Sequence, residues 1–332
     1  MTTTPHIAVL CGGVGAARFL RALSTVVPSS NITALVNTGD DTVLHGLHIS
    51  PDLDTITYTL ADAIDPDRGW GLIDESWRAL DALRRYEQVR PSGSRSASTW
   101  FGLGDQDLAT HFYRTARLQE GASLTEITSE IASAWGLDFR LLPMTDDPAP
   151  TEVVVDPVDD PGVAGDGRIS FQEYFVRHRH GITVRELHLG ASSAQPSQEA
   201  IVALTDADGI VIAPSNPFVS IGPIRALPHV DEILSTRRST VVAISPLVGG
   251  AAVKGPAADM MTTFGFRSDS VGIAEIYRDV CGHLIIDSED APLAADVELA
   301  GLTATVTNTM MGDPQVDENL ARLTLAAAGI AV

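Results

Sequence analysis

His6-Ile7-Ala8-Val9-Leu10-Cys11-Gly12-Gly13-Val14-Gly15-Ala16-Ala17 is an apolar run closed by a glycine-rich turn. A continuous apolar run of this length, ending in glycine, fits a fully buried strand. Beyond it, Phe19, Leu20 and Leu23 fall on one face of a helix. Strand, glycine turn and helix together form the opening unit of a nucleotide-binding α/β sheet. Glycine lets the backbone approach an anion closely, and the following helix offers free N–H groups and the positive end of its dipole. Gly12, Gly13, Val14 and Gly15 are therefore candidate anion-binding residues.

A second apolar run, Ile32 to Val36, leads into Asn37-Thr38-Gly39-Asp40-Asp41 and, shortly after, Ser50-Pro51-Asp52-Leu53-Asp54-Thr55. Four carboxylates thus gather near the carboxyl end of one strand, which is where ligands bind in an open α/β sheet. They would repel one another and any phosphate unless a hard divalent cation, Mg²⁺ first, sat among them. Asp40, Asp41, Asp52 and Asp54 are the candidate ligands. Singly, each has a structural alternative, since aspartate is favoured in turns after glycine, and Asp52 can cap a helix running from Leu53 to Ala63.

The dinucleotide fingerprint fails on two counts. Counting from Gly13 and Gly15, its third glycine position holds Arg18, and the second strand ends in Asn37 where a ribose-binding acid is expected. No Gly-Lys-Ser/Thr follows the glycines, which excludes a Walker loop. An NAD-dependent dehydrogenase is the fold-level alternative that these residues disfavour.

The chain has 332 residues, 44% of them hydrophobic, and a formal charge of -21. That length supports one large or two modest α/β units. The charge argues against nucleic-acid binding and against an anionic membrane surface, so positive charge for a phosphate must be concentrated locally. Cys11 and Cys281 read as separate buried thiols of a reduced compartment. The polar opening and the short apolar run after it do not read as a leader, and no stretch reads as a membrane span, which makes the cytoplasm the expected location.

Downstream, a Trp-Gly turn near Trp70 precedes a helix expected over 74–86, with Trp77, Leu80 and Leu83 as its apolar stripe. The polar segment 88–99 has the composition of a loop that orders on binding or of plain surface. Asp107, His111 and Arg114 share a helix face, a pattern expected to be solvated. Strand-like runs at 139–142, 152–155, 169–171 and 183–189, set among acidic Pro/Gly turns, read as an antiparallel insertion. Alternation then resumes with a buried strand at 209–213, followed by Pro214-Ser215-Asn216-Pro217 and Ser220-Ile221-Gly222-Pro223. A further strand, 240–244, ends in a Gly/Pro loop holding Lys254, the chain's sole lysine and a candidate phosphate contact.

The expected fold is α/β, a doubly wound, mostly parallel Rossmann-like sheet with helices on both faces and an inserted antiparallel region. Residues 1–136 would form the nucleotide- and acceptor-binding part, 137–190 the insertion, and 191–332 a second α/β part completing the same sheet.

Taken together, these loops resemble the 2-phospho-L-lactate transferases of coenzyme F-420 biosynthesis, and within them the actinobacterial phosphoenolpyruvate-using branch. The residues that carry the match are Gly12 to Gly15 with Arg18, Asn37 to Asp41, Ser50 to Thr55, Leu103 to His111, Phe171 to Phe175, Pro214 to Pro217, Ser220 to Pro223, Ser245-Pro246 and Lys254 to Pro256. The match runs over nearly the whole chain. In the residues around Phe101-Gly102-Leu103 it departs from the archaeal pattern, in which a basic residue can stand before the Gly-Asp motif.

The resemblance implies a donor in which guanosine diphosphate is linked to enolpyruvate, or to lactate in the archaeal branch, and an acceptor, the 5′ ribityl hydroxyl of the deazaflavin Fo. The products would be a phosphodiester and GMP. It also implies Mg²⁺, a homodimer, and a guanylyltransferase partner that supplies the labile donor. On this reading Asp54 is the catalytic base or the ligand orienting the hydroxyl. Gly12, Gly13, Val14, Gly15, Asn37, Ser215, Asn216, Ser220, Gly222 and Lys254 would hold guanosine and phosphates. A distant branch of UDP-sugar-binding regulators shares the glycine loop, but its acidic motif continues with Gly and Ser, whereas Thr42-Val43-Leu44-His45 follows here.

Overall fold

The computed structural model describes residues 4–91, 94, 96–156, 166–253 and 255–331. In chain order the strands are β1 (Ile7–Cys11), β2 (Ile32–Val36), the hairpin β3 (Thr42–Leu44) and β4 (Leu47–Ile49), β5 (Arg140–Pro143), β6 (Thr151–Val155), β7 (Arg168–Ser170) and β8 (Val184–Leu189). They continue with β9 (Gly209–Ile212), β10 (Val241–Ile244), the pair β11 (Leu247–Val248) and β12 (Ala251–Ala252), β13 (His283–Asp287) and β14 (Thr303–Thr307). The first five helices are α1 (Val14–Leu23), α2 (Pro51–Leu60), α3 (Arg78–Glu87), α4 (Asp105–Gln119) and α5 (Leu124–Ala134).

Seven strands form one sheet in the order β14-β13-β10-β9-β1-β2-β5, and every neighbouring pair in it is parallel. The chain builds outward from β1 through β2 to β5, then returns to the other side of β1 and builds outward again. This is the doubly wound arrangement the sequence predicts. The order reverses between β1 and β9, and a crevice opens there at the carboxyl ends of the strands.

Both faces of the sheet are covered, which is why its inner strands read as unbroken apolar runs. Alternate residues of β1 feed two cores. Ile7, Val9 and Cys11 pack with Phe19, Leu20 and Leu23 of α1 and with Leu320 and Leu325 of the closing helix Pro314–Ala327. Ala8 and Leu10 pack with Leu204, Ile221, Ile224 and Leu234 on the other side. Cys11 and Cys281 are free and buried, and burial pushes the Cys281 thiol up to about 12.

Two local expectations change, and one segment for which none was stated forms a hairpin. The strand β5, grouped by pattern with the antiparallel region, lies instead parallel to β2 as the edge of the main sheet. Among the described residues, the antiparallel strands are those of β7-β6-β8 and of the two short hairpins, with isolated antiparallel bridges at Ile64–Leu72 and Thr145–Pro196. Between Asp41 and α2 the chain forms the hairpin β3-β4, turned by His45 (φ 55°) and Gly46 (φ 80°), the positive pair that a two-residue turn requires, so that Asp40 and Asp41 precede the hairpin and Asp52 and Asp54 follow it. The helix expected over 74–86 starts only at Arg78, and of its stripe Leu80 alone is buried while Trp77 stands ahead of it.

Among the described residues, no helix is long and apolar enough to cross a membrane.

Candidate functional site

The crevice holds a cavity of about 670 Å³. The β1–α1 turn and the loop after β9 meet at its floor, and they meet closely. A Cβ on Gly15 would sit 2.2 Å from the Pro214 carbonyl oxygen, so that glycine is needed for packing against the neighbouring loop. The Gly12 N–H donates to Ser215 Oγ at 3.2 Å. Gly13, Val14 and Gly15 reach the cavity wall, as do Ser215, Asn216 and Ser220.

The floor favours an anion. Helix α1 begins at Gly13 with no side chain capping it, and α2 begins at Ser50, likewise without a side-chain cap. The first turn of α1 lines the cavity through Val14 and Gly15, and its uncapped N–H groups with the dipole behind them attract negative charge. Helix α2 instead opens with Pro51, which has no N–H, and brings Asp52 to the cavity. Arg18 also lines the cavity, and among the described residues it forms no ion pair.

Beside this floor stands an acidic corner. Asp40 and Asp52 line the cavity, and Asp41 lies behind them. Asn37 Nδ2 donates to Asp52 Oδ2 at 2.9 Å and to the Val219 carbonyl at 3.3 Å, while its Oδ1 accepts the Gly39 N–H at 2.8 Å. Ser50 spends its hydroxyl on Asp41 Oδ2 at 2.7 Å instead of capping α2. With those donors used, Asp40 Oδ1 and Asp41 Oδ1 are buried with no hydrogen-bond partner. Burial, then repulsion from Asp52, holds Asp40 well above the usual carboxylate range. Asp41 is raised by burial too, and Asp52 is pushed up to about 6 by burial despite the Asn37 hydrogen bond. Among the described residues no lysine or arginine pairs directly with these three. A hard cation would satisfy the orphaned oxygens and relieve the repulsion, so the donor set fits one.

Asp54, the residue the sequence reading favoured for catalysis, is not on the cavity wall. Its carboxylate is gripped by both terminal nitrogens of Arg114, at 3.2 Å from Nη1 to Oδ2 and in a close contact from Nη2 to Oδ1. Arg114 is 2% exposed. Its Nη1 also reaches His111 Nδ1 at 3.2 Å and the His48 carbonyl at 3.4 Å. His111 Nε2 lies 3.3 Å from Asp107 Oδ1, which accepts the Tyr58 hydroxyl at 2.8 Å. The polar line Asp107, His111 and Arg114, expected in solvent, is therefore buried. Ligand atoms of Asp54, Asp107 and His111 lie within 4.8 Å of one another and could hold a metal. Arg114 already supplies a positive charge at that spot, and its bond to His111 occupies one ring nitrogen. The acidic corner leaves Asp40 Oδ1 and Asp41 Oδ1 without a hydrogen-bond partner, and the buried group leaves His111 Nε2.

The remaining sequence candidates divide. Asn37 is a buried bracket joining the acidic corner to the loop after β9. Gly12 and Gly222 do not line the cavity, and Lys254 lies outside the described residues. Sequence reading gave no site role to a further part of the wall: Arg68 and Trp70, with Phe101 from the loop before α4, Phe171 and Phe175 from the inserted region, and Met310 after β14. Phe171 and Phe175 stack nearly parallel at 5.7 Å. Periodicity carries no signal for residues that converge from loops so far apart. No described residue of the segment 88–99 lines the cavity.

Compared with known proteins, residues 7–310 match the family described as 2-phospho-L-lactate transferase CofD. The chain is similar to proteins named phosphoenolpyruvate transferase: at 36% identity to that of Nocardia farcinica (99% of this chain, 96% of the other) and at 38% to that of Kitasatospora aureofaciens (97% and 98%). The Mycobacterium tuberculosis protein of that name is 38% identical, covering 98% of this chain and 99% of its own. Among solved structures, a UPF0052 family member from Bacillus halodurans shares the fold with a TM-score of 0.59 at 16% identity, over 98% of this chain and all of the other. A second structure of a protein from that organism gives 0.61, also at 16% identity, over 97% and 100%.

Proposed function

The chain belongs to the 2-phospho-L-lactate transferase CofD family, and on that premise we propose that it is a transferase of coenzyme F-420 biosynthesis. It moves the phosphoenolpyruvyl group, or 2-phospho-L-lactyl in the alternative, from a guanosine diphosphate-linked donor to the 5′ ribityl hydroxyl of Fo. The hydroxyl oxygen bonds to the phosphorus bearing the three-carbon acid, the bridge between the two phosphorus atoms breaks, GMP leaves, and the hydroxyl proton passes to a base. Dimerisation and supply of the labile donor by a guanylyltransferase belong to the same proposal.

The observation that carries this reading is the pair Asp40 and Asp52 facing the cavity beside the uncapped start of α1. Asp40 and Asp52, backed by Asp41, would hold Mg²⁺, which supplies neutralisation of the diphosphate charge. The α1 N-terminus and Arg18 bind donor phosphates, with Ser215, Asn216 and Ser220 beside them. The aromatic wall receives the deazaflavin ring, which brings its ribityl chain toward the acidic corner. Asp52 takes over the catalytic role first given to Asp54, because it alone of the two reaches the cavity. Positioning a hydroxyl against a bound diphosphate and accepting its proton is the whole task asked of these side chains.

The test is GMP release by the purified protein with Fo, Mg²⁺ and enolpyruvyl donor generated in situ, run beside the lactyl donor. Fo-dependent GMP with a new phosphodiester is the expected result. No product with either donor, together with tight UDP-sugar binding, would replace the enzyme by a regulator.

The acidic corner also sets a pH signature. A carboxyl raised to about 6 in the folded chain binds its proton more tightly folded than unfolded. Its effect on stability is therefore benign below the ordinary carboxylate range, worsens as pH rises through about 6, and is fully unfavourable above that. Mg²⁺ binds the ionised form and cancels the deficit, adding about 2.7 kcal/mol at a hundredfold excess over its Kd. The rise in Tm on adding Mg²⁺ should accordingly be larger at pH 7.5 than at pH 5. Equal increments at the two pH values would remove the cation from this corner.

A further inference from the structure

Trp70 lines the cavity yet is 42% exposed, a large apolar face left open to solvent. It is nevertheless held on several sides. The guanidinium carbon of Arg68 lies 5.4 Å from the Trp70 ring centre and 4.9 Å from that of Trp77, and the two indoles meet edge to face at 5.8 Å. Arg68 is itself anchored: Nη1 to Asp65 at 3.0 Å, Nη2 to Glu75 at 2.9 Å and to the Leu72 carbonyl at 2.9 Å. The Glu75 side chain is fully buried, its Oε1 accepts the Leu72 N–H at 3.2 Å, and its Oε2 presses on Gly104, where a Cβ would stand 1.8 Å away. On the other edge of the ring, a Cβ at Gly102 would lie 2.6 Å from Trp70 Cη2. A loop without regular structure has thus been locked from within, and what it fixes is one exposed indole.

Resting on the transferase reading above, we propose that Arg68 and Glu75 are positioning residues that hold Trp70 as a rigid stacking face for the planar fused ring of the acceptor. A flat ring laid on a fixed indole binds without the cost of ordering that side chain, and stacking is effective only at the right tilt. The fork of Arg68 spans Asp65 and Glu75, which a lysine cannot do. Neither Arg68 nor Glu75 needs to touch the reacting phosphorus.

The experiment is a kinetic comparison of Arg68→Met, Trp70→Ala, the double variant and, as a route that leaves the ion pairs intact, Gly102→Ala, with Fo and donor varied separately. Each single variant should raise the KM for Fo about tenfold or more, the range expected for losing a stacked ring. The KM for donor and kcat at saturating Fo should stay within about twofold. If Arg68 acts through Trp70, the double variant matches Trp70→Ala instead of multiplying the two losses. Multiplying effects, a parallel rise in the donor KM, or a fall in kcat alone would overturn the proposal. Fo binding, followed by the polarisation of its own fluorescence, separates the two levels. Wild type that binds Fo and releases GMP, with variants indistinguishable from it, leaves the transferase reading and sinks this one; wild type that does neither sinks both.

Discussion

Asp52→Asn and Asp40→Asn should each lower transferase turnover by at least about a hundredfold while leaving the fold intact. Groups one shell behind a metal already cost about 10- to 100-fold when changed, so a carboxylate in direct reach of the cation sets a higher floor. The Asp52 substitution is nearly isosteric, and its amide oxygen can still accept the Asn37 hydrogen bond now made at 2.9 Å. It also removes a charge that burial opposes and that repels Asp40. Asp52→Asn should therefore melt at or above the wild-type temperature in Mg²⁺-free buffer above pH 6, and lose most of the Mg²⁺-dependent rise. Activity lost with apo stability kept is the mark of a functional carboxylate. A variant that retains turnover would take Asp52 out of the site, whatever its stability.

Arg114→Met should do the opposite, acting first on stability. The pair Asp54–Arg114 is almost wholly buried, with side chains 7% and 2% exposed. Burial alone would disfavour the Arg114 charge, and Asp54, joined by Asp41 and Tyr58, more than restores it. Removing the arginine leaves a buried carboxylate without its partner, a loss of about 3–5 kcal/mol. Urea unfolding midpoints measure it, and the double variant Asp54→Asn/Arg114→Met should recover most of the loss, because the stranded charge is gone. Asp54→Asn alone discriminates between the two views of that residue. A base that touches substrate would lose turnover with stability near wild type. A residue that holds helix α2 through Arg114 would lose stability, and turnover only as far as the site loosens. Near-normal urea midpoints with no turnover would return Asp54 to the catalytic role.

The fold was readable where its cause is local. Strand, glycine turn and helix at 6–23 carry their own signal, as do the apolar runs at 32–36, 209–213 and 240–244, whose strands are buried on both faces. The edge strand β5 was not readable as such, since Arg140–Pro143 is half as apolar a signal and nothing in it names β2 as its partner. At the site, Gly13, Val14, Gly15, Asp40, Asp52, Ser215, Asn216 and Ser220 were anticipated and line the cavity. Trp77 and the line Asp107, His111 and Arg114 were assigned the wrong surroundings: periodicity says which residues share a face, but not what covers that face. Arg68, Trp70 and Met310 were absent from the candidate set because loop residues acquire their meaning from contacts made across the molecule.

What the sequence determined by itself was a parallel sheet with anion-binding and acidic loops at one end, because apolar runs, glycine turns and charge spacing act over a few residues. Which aspartate serves the cavity was decided only in three dimensions. Residues two apart on a helix point about 200° away from each other, so Asp52 and Asp54 on α2 cannot face the same way. One had to meet the crevice and the other the helix behind it. Asp52 lies against Gly13, whose missing Cβ leaves room for its carboxylate, while Asp54 meets Arg114, sixty residues further along the chain. That choice follows from how α2 is rotated between the β1–α1 turn and α4, and the rotation is set by packing on both of its sides.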